Sequence, residues 1–180
     1  MSITKLSSRE IYRNQWMVLR EDKVRRVDGS EGIYGVVTKP DFSLIIPRED
    51  DCFHLVEQYR YPVQGRFLEF PQGTWEQNPD ATPEMVAAGE LKEETGLVAG
   101  RMTYLGHLFV AYGFVNQGMH VFLAEDLVQG ERALGPEEAD LVCRKVEIAE
   151  FDRMIARGEI KDITSLAAYT LLRLKQQESR

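Results

Sequence analysis

The sequence predicts an α+β fold or a sandwich built on a mixed β-sheet. Strand-like segments are interleaved with three helix-like segments, and no regular strand–helix–strand repeat connects them. A chain of 180 residues with 43% hydrophobic content is long enough for a full core. Because no proline-, glycine- or serine-rich linker divides the chain, the sequence predicts one domain rather than two.

The strands of the first half are predicted by alternating or β-branched runs with turn residues at their ends. They cover residues 11–20, 23–27, 33–38, 42–47, 53–58 and 66–70. Turns are predicted at residues 28–30 and at residues 48–51, the second of these inside a hairpin. The last of these strands leads the chain into a glycine loop at Gly73.

The clearest element is a helix between Thr82 and Gly96. Thr82 is a suitable N-cap, Pro83 suits the first helical position, and Gly96 stands where a C′ glycine ends a helix. Further strands and helices are predicted after it. The strands cover residues 102–109, 118–124 and 141–146, and the helices cover residues 148–158 and 165–177.

The composition argues against several classes of protein. A net charge of −7 and a pI near 5.1 make nucleic acid an unsuitable general partner, because its backbone attracts positive charge. The N-terminus lacks the apolar segment of a signal peptide, and no apolar run of about 18 residues occurs, so no membrane is expected. Cys52 and Cys143, the only cysteines, lie far apart. We therefore expect a soluble cytoplasmic protein without disulfides.

Three carboxylates lie on one face of the predicted helix. Glu90, Glu93 and Glu94 fall within an arc of roughly 100°. Such pairs repel by about 0.2–0.5 kcal/mol each when exposed, and by more at a partly buried sheet edge unless a cation lies among them. One interpretation is a solvated acidic face; the other is a site for Mg²⁺ or Mn²⁺, which prefer compact oxygen ligands.

The segment Leu68–Leu97 resembles the Nudix box. Glu90–Leu97 matches the second half of that pattern position for position, and Glu69–Gly73 is similar to the segment that leads into the box in ADP-ribose and nucleotide-sugar pyrophosphatases. Outside the box, Glu57–Pro62 resembles the Gln-Tyr-Arg segment of the same group, and residues 158–162 resemble its C-terminal segment. The resemblance covers roughly residues 10–175, with the box as its diagnostic part.

Three positions depart from the box. Gly89 stands where the family has an arginine that orients the glutamates, and Ala81 stands where the first glutamate belongs. The separation of Gly73 and Gly89 is also two residues longer than the pattern. Since a glycine inside a helix costs about 1 kcal/mol relative to alanine, Gly89 suggests a close approach of another group.

The resemblance implies an architecture and an assembly. It implies an α/β/α sandwich in which a mixed sheet lies between helices, with an N-terminal antiparallel strand arm. The arm covers residues 1–32 and the Nudix domain covers residues 33–176. By analogy with the family, we expect a homodimer formed through the arm.

The resemblance also implies hydrolysis of the diphosphate of ADP-ribose or a related nucleoside diphosphate sugar, dependent on Mg²⁺ or Mn²⁺. The implied metal ligands are Glu90, Glu93 and Glu94, with Glu93 also assigned to catalysis. The general base is expected in the acidic loop at residues 130–140, with Glu138 ahead of Glu137. An exposed acidic turn is the alternative interpretation of that loop, and Glu131 and Asp140 stay open as bases.

Five further residues are candidates for binding the substrate. A guanidinium at Arg60 could grip a phosphate, with Arg66 as a weaker candidate for the same role. Glu69 could bind a ribose hydroxyl or a water near the metal, Trp16 could stack on the base, and Phe114 lies in the loop that follows the box. Structural roles in a surface, a core or a dimer interface are the alternatives for each of them.

Two other functions remain open from the sequence. Gly89 and Ala81 would suit a Nudix-fold module that binds a nucleotide sugar without hydrolysing it. A housecleaning hydrolase of nucleoside triphosphates is the third possibility, disfavoured by the N-terminal arm. Retention of all three helix glutamates favours the nucleotide-sugar hydrolase.

Overall fold

The computed structural model describes residues 3–75, 78, 80–135 and 138–178. These residues form ten β-strands, three α-helices and a short 3-10 turn at Tyr61–Val63. They divide into two compact units. The first comprises the described residues up to 41 together with residues 109–118, and the second comprises residues 42–108 and the described residues from 119 onward.

The first unit is built on a three-stranded antiparallel sheet with β2 in the centre. Its strands are β1 (Ile3–Arg13), β2 (Val18–Arg26) and β3 (Glu31–Thr38). The single strand predicted at residues 11–20 is wrong. The side chain of Asn14 accepts hydrogen bonds from the amides of Trp16 and Met17, both at 2.9 Å, and this turn divides β1 from β2.

The second unit contains a seven-stranded sheet in the order β10-β5-β4-β9-β8, with β6 paired to β5 and β7 paired to β4. Its strands are β4 (Phe42–Glu49), β5 (Cys52–Arg60), β6 (Gly65–Glu69), β7 (Gln72–Gly73), β8 (Leu97–Phe109), β9 (Gly118–Gln129) and β10 (Val142–Glu147). Strand β4 pairs parallel with β9 and antiparallel with β5 and β7, which confirms the predicted mixed sheet.

Three helices complete the second unit: α1 (Pro83–Thr95), α2 (Ile148–Ala156) and α3 (Ile163–Glu178). Both α1 and α3 contact β4. Leu44, Ile45 and Ile46 of β4 are fully buried, although successive side chains of a strand point to opposite faces. The strand is therefore covered on both faces, which confirms the α/β/α sandwich.

Two apolar clusters fill the two faces. Ile45 packs with Ala87 and Leu91 of α1. The second cluster consists of four aromatic rings whose centroids lie 5.1–5.7 Å apart, namely Phe53, Phe70, Phe151 and Tyr169. Phe151 belongs to α2 and Tyr169 to α3, so the aromatic cluster holds both helices beside the segment that joins β6 to β7.

Within the described part of the chain, no helix combines the length and apolar character that crossing a membrane requires.

Candidate active site

Helix α1 has the limits that its capping residues predict. The hydroxyl of Thr82 accepts a hydrogen bond from the amide of Met85 at 3.3 Å. At the other end, Gly96 adopts a φ of 77° and its amide donates to the carbonyl of Lys92 at 2.8 Å. These caps fix which residues of α1 face the sheet.

The three carboxylates of α1 differ in their surroundings. The side chains of Glu90 and Glu94 are buried, with 5% and 1% of each residue exposed, whereas Glu93 is partly exposed. The predicted acidic face is therefore not a solvated surface at Glu90 and Glu94. Burying a carboxylate is unfavourable unless hydrogen bonds or positive charge compensate, so these two positions need a specific explanation.

A third carboxylate joins the two buried ones. One carboxylate oxygen from each of Glu90, Glu94 and Glu138 lies within 4.8 Å of the other two. Glu138 comes from the acidic loop that the sequence singled out, and its side chain also accepts a hydrogen bond from the amide of Gly135 at 3.2 Å. Three oxygen ligands at this spacing fit a hard divalent cation.

The electrostatics of this cluster agree with that interpretation. Burial raises the pKa of Glu94 well above its usual range, and the charges of Glu90, Glu138 and Glu69 raise it further. Burial and the charge of Glu138 raise the pKa of Glu93 as well. The cluster therefore favours either bound protons or a bound cation over free negative charge.

The glycine loop lies directly against the cluster. A β-carbon at Gly73 would overlap the carboxylate of Glu90, so only glycine allows this approach. The adjacent amide of Gln72 donates to Oε2 of Glu94 at 3.2 Å. Pairing of β7 with β4 keeps both residues at the sheet edge.

The loop that carries Glu138 is attached to the sheet at both ends. The amide of Gly130 donates to the carbonyl of Gly96 at 2.7 Å. At the other end, Arg66 forms an ion pair with the side chain of Asp140 and donates from Nη2 to its carbonyl at 2.8 Å. Arg66, predicted as a weak candidate for phosphate binding, anchors this loop in the structure.

Arg60 and Glu69 form a pair beside the cluster. Glu69 is only 2% exposed and accepts hydrogen bonds from Gln58 Nε2 at 2.7 Å, from Arg60 Nε at 3.1 Å and from a second nitrogen of Arg60. Burial raises the pKa of Glu69, an effect that the charge of Arg60 opposes. The guanidinium predicted to grip a phosphate is thus engaged by a carboxylate in this structure.

The departures from the box have structural causes. A β-carbon at Gly89 would overlap the indole of Trp75, so Trp75 fills the space beside this turn of α1. Ala81 lies outside the helix, and its amide donates to the carbonyl of Asn78 at 3.1 Å. Glu137, named from the sequence in the acidic loop, lies outside the described residues.

Trp16 and Phe114 belong to the first unit. Trp16 follows β1 and is 42% exposed. Phe114 is 58% exposed, and its carbonyl accepts a hydrogen bond from the amide of Val37 in β3 at 2.8 Å. Both rings have an exposed surface on which a planar group could stack.

Sequence reasoning missed the contacts of Asp162. This half-buried carboxylate precedes α3 and binds the side chain of Gln72 in the glycine loop. The signal available in the sequence was an aspartate three residues before Ser165, a spacing typical of a helix N-cap. That signal predicts the cap but not the contact with residue 72, which is 90 positions away.

Comparisons with known proteins identify the family of the chain. Residues 37–168 match the NUDIX domain family, and residues 3–37 match the family described as the nucleoside diphosphate sugar hydrolase N-terminal domain. The ADP-ribose pyrophosphatase of Mycobacterium tuberculosis is 32% identical over 164 residues, covering 90% of this chain and 79% of that protein. The ADP-ribose pyrophosphatase of Bacillus subtilis is 26% identical over 173 residues, covering 95% of this chain and 92% of that protein.

A solved structure has the same fold. The crystal structure of an ADP compounds hydrolase superimposes with a TM-score of 0.87 and covers 99% of this chain and 96% of that chain. At 21% identity, this likeness shows the architecture and no more.

The raised pKa of Glu94 predicts how stability depends on pH without metal. A carboxyl whose folded pKa exceeds its unfolded value contributes stability that is present below the unfolded pKa and is lost as pH rises through the folded pKa. We expect Glu94→Gln to abolish this loss. In EDTA at pH 8 its melting temperature should exceed that of the wild type by about 3 °C or more, roughly 1 kcal/mol for a chain of this size.

Thermal unfolding between pH 4 and pH 8 measures this difference, which should shrink toward zero at the acid end. Glu84→Gln is the matched control, because Glu84 is an exposed carboxylate in the first turn of the same helix. Identical pH profiles for the wild type and Glu94→Gln would contradict the prediction.

Proposed function

The chain belongs to the NUDIX family, and from that membership we propose that it hydrolyses the diphosphate of ADP-ribose or a related nucleoside diphosphate sugar. The products are a nucleoside monophosphate and a sugar phosphate. The observation that carries the proposal is the convergence of Glu90, Glu94 and Glu138 beside the glycine loop. The match of residues 3–37 to an N-terminal domain of nucleoside diphosphate sugar hydrolases supports this substrate class.

The residues present fit a divalent cation, which we propose to be Mg²⁺ or Mn²⁺. Three clustered carboxylates, two of them buried, offer hard oxygen ligands, and burial together with the neighbouring negative charges raises the pKa of Glu94, an effect that a cation among them would oppose. When bound, such a cation stabilises the charge that develops on the leaving phosphate. Glu90 and Glu94 are the proposed inner ligands, and Glu93 lies on the exposed side as a further ligand or base.

Glu138 is the proposed general base. Its side chain is half-buried, lies beside the buried carboxylates and can accept a proton from the attacking water. The hydrogen bond from Gly135 and the Arg66 anchor hold its carboxylate in reach of the cluster. Glu137 remains proposed as the alternative base of the same loop.

The substrate residues remain proposals with distinct roles. Arg60 and Glu69 act as a pair: an arriving phosphate would compete with Glu69 for the guanidinium, and Glu69 would then be available to a ribose hydroxyl. Trp16 and Phe114 are proposed to stack on the base through their exposed rings.

A substrate panel tests the proposal. Phosphate release should be measured with a coupled phosphatase, with and without Mg²⁺ or Mn²⁺, on ADP-ribose, GDP-mannose, UDP-glucose and nucleoside triphosphates. We expect metal-dependent hydrolysis of a nucleoside diphosphate sugar and no measurable turnover by Glu94→Gln, because a buried ligand is lost. Turnover at the wild-type rate in Glu94→Gln would refute the metal site. If none of these substrates is hydrolysed but one of them raises the melting temperature of the protein, a binding module would be favoured.

The role of Glu138 gives a second prediction. Glu138→Gln should lower kcat by about 100-fold or more, because a glutamine cannot accept the proton, while the KM for the nucleotide sugar changes little. Glu84→Gln, at an exposed glutamate in the first turn of α1, is the matched control and should keep wild-type kinetics. Equal kcat in both variants would assign the base elsewhere, with Glu137→Gln as the next variant.

Assembly is proposed from the first unit. Strand β1 lies at the edge of its sheet, all eleven of its residues are exposed, and its side chains include four large hydrophobic ones. These are Ile3, Leu6, Ile11 and Tyr12. A long exposed edge with apolar side chains is suited to pairing with another strand. We propose that a second copy of the chain covers it in a symmetric homodimer.

Light scattering after size exclusion tests the dimer. We expect a mass of twice 20.6 kDa for the wild type and a shift toward the monomer for Leu6→Asp, which introduces a charge on the edge strand. Val27→Asp is the control, because Val27 is 80% exposed in the same unit but lies outside β1. A monomeric wild type at micromolar concentration would rule out this assembly.

A further inference from the structure

Asp162 collects an unusual number of donors on one carboxylate oxygen. Its Oδ2 accepts hydrogen bonds from Thr164 Oγ1 at 2.6 Å, from Ser165 Oγ at 2.7 Å, from the amide of Ser165 at 2.9 Å and from Gln72 Nε2 at 3.1 Å. The first three belong to the start of α3 and the fourth belongs to the glycine loop. The carboxylate therefore joins two elements that are distant in the sequence.

Both ends of the Gln72 side chain are fixed by this group. Its Nε2 donates to Asp162, and its Oε1 lies 2.8 Å from Thr164 Oγ1, whose single proton is shared between Gln72 and Asp162. The same residue donates its main-chain amide to Glu94 in the carboxylate cluster. The side chain of Gln72 is thus held on one side while its backbone faces a proposed metal ligand on the other.

A second contact fixes the loop before Pro71. Ser165 Oγ, which donates to Asp162, accepts a hydrogen bond from the amide of Phe70 at 2.8 Å. Between these two attachment points, the carbonyl of Pro71 accepts from the amide of Ile45 in β4 at 2.9 Å. The segment from residue 70 to residue 72 is therefore held by α3 and by the sheet at three consecutive residues.

We propose that Asp162 is a positioning residue for the active site. By holding the side chain of Gln72, it directs the amide of Gln72 toward Glu94 and keeps Gly73 next to Glu90. This inference rests on the proposed function for the role of Glu90 and Glu94. Asp162 does not belong to the carboxylate cluster and acts on it only through the loop. Its effect is on the geometry of the ligands rather than on the chemistry.

The chemistry of the four donors explains why an aspartate stands at this position. An ionised carboxylate accepts hydrogen bonds only. An asparagine could keep its amide oxygen toward the four donors, but it would lose the charge that strengthens these hydrogen bonds, and its NH₂ group would face the amide of Thr164, which donates to Oδ1 at 3.3 Å. Burial alone would raise the pKa of Asp162, but the hydrogen bonds from Thr164, Ser165 and Gln72 hold this pKa below its usual range. Asp162→Asn is therefore a substitution of equal size that weakens the network by removing its charge.

A purely structural role would have a different signature. If Asp162 served only to cap α3, its loss would destabilise the helix and leave the carboxylate cluster unchanged. Mn²⁺ affinity separates the two roles, because outer residues that orient ligands typically change metal affinity by about 10–100-fold. Calorimetric titration of the full chain with Mn²⁺ alone gives this readout without any turnover.

We expect Asp162→Asn and Thr164→Val to weaken Mn²⁺ binding about tenfold or more. Thr164→Val removes, at nearly constant volume, the hydroxyl that lies between Asp162 and Gln72, and it carries the test if Asp162→Asn does not fold. Each of these two variants has a matched control, one in α2 and one in α3. Asp152→Asn breaks contacts with Tyr169 and Arg173, and Thr170→Val removes a hydroxyl bonded to the carbonyl of Leu166.

The outcomes separate this inference from the proposed function. Both control variants should bind Mn²⁺ within about twofold of the wild type. If the wild type binds Mn²⁺ and the folded Asp162→Asn and Thr164→Val variants bind it equally well, the positioning role is overturned and the proposed function stands. If the wild type binds no Mn²⁺, the proposed function fails and the inference falls with it.

Discussion

Mutual repulsion of buried carboxylates is the constraint on which the site depends. One carboxylate oxygen from each of Glu90, Glu94 and Glu138 lies within 4.8 Å of the other two. The burial of Glu90 and Glu94 removes the water that would otherwise screen their charges. Without a cation this arrangement opposes folding, so it persists only because the surrounding structure outweighs it. Function and stability therefore conflict at this site, and the proposed divalent cation would reconcile them.

The interactions that outweigh this repulsion come from both faces of the sheet. On one face α1 is held by packing of Leu91 and Ala87 against Ile45, which leaves Glu90 and Glu94 no freedom to turn toward solvent. On the other face the aromatic cluster and the Asp162 network hold the loop that passes beneath the carboxylates. The ligands are thus rigid because two independent layers fix the helix and the loop.

The sequence predicted those parts of the site that depend on local rules. The caps Thr82 and Gly96, and the helical period that puts Glu90 and Glu94 on one face, were sufficient for α1. The approach of Glu138 and the contact of Asp162 with Gln72 arise from tertiary packing over long separations, so no local pattern contains them. The same limit explains why the extent of β1 was not predicted. All of its residues are exposed, so no buried face produces an alternating pattern.

The contact between Gly89 and Trp75 changes the meaning of the missing arginine. A β-carbon at position 89 would overlap the indole of Trp75, so a larger residue there would require Trp75 to move. In the Nudix box an arginine there orients the glutamates, but a fixed neutral donor can perform the same task on one of them. Here the amide of Gln72 donates to Glu94, and Gln72 is itself held by Asp162. Gly89 was the main reason to consider a module without catalysis, and this donor leaves hydrolysis as the function that the site supports best.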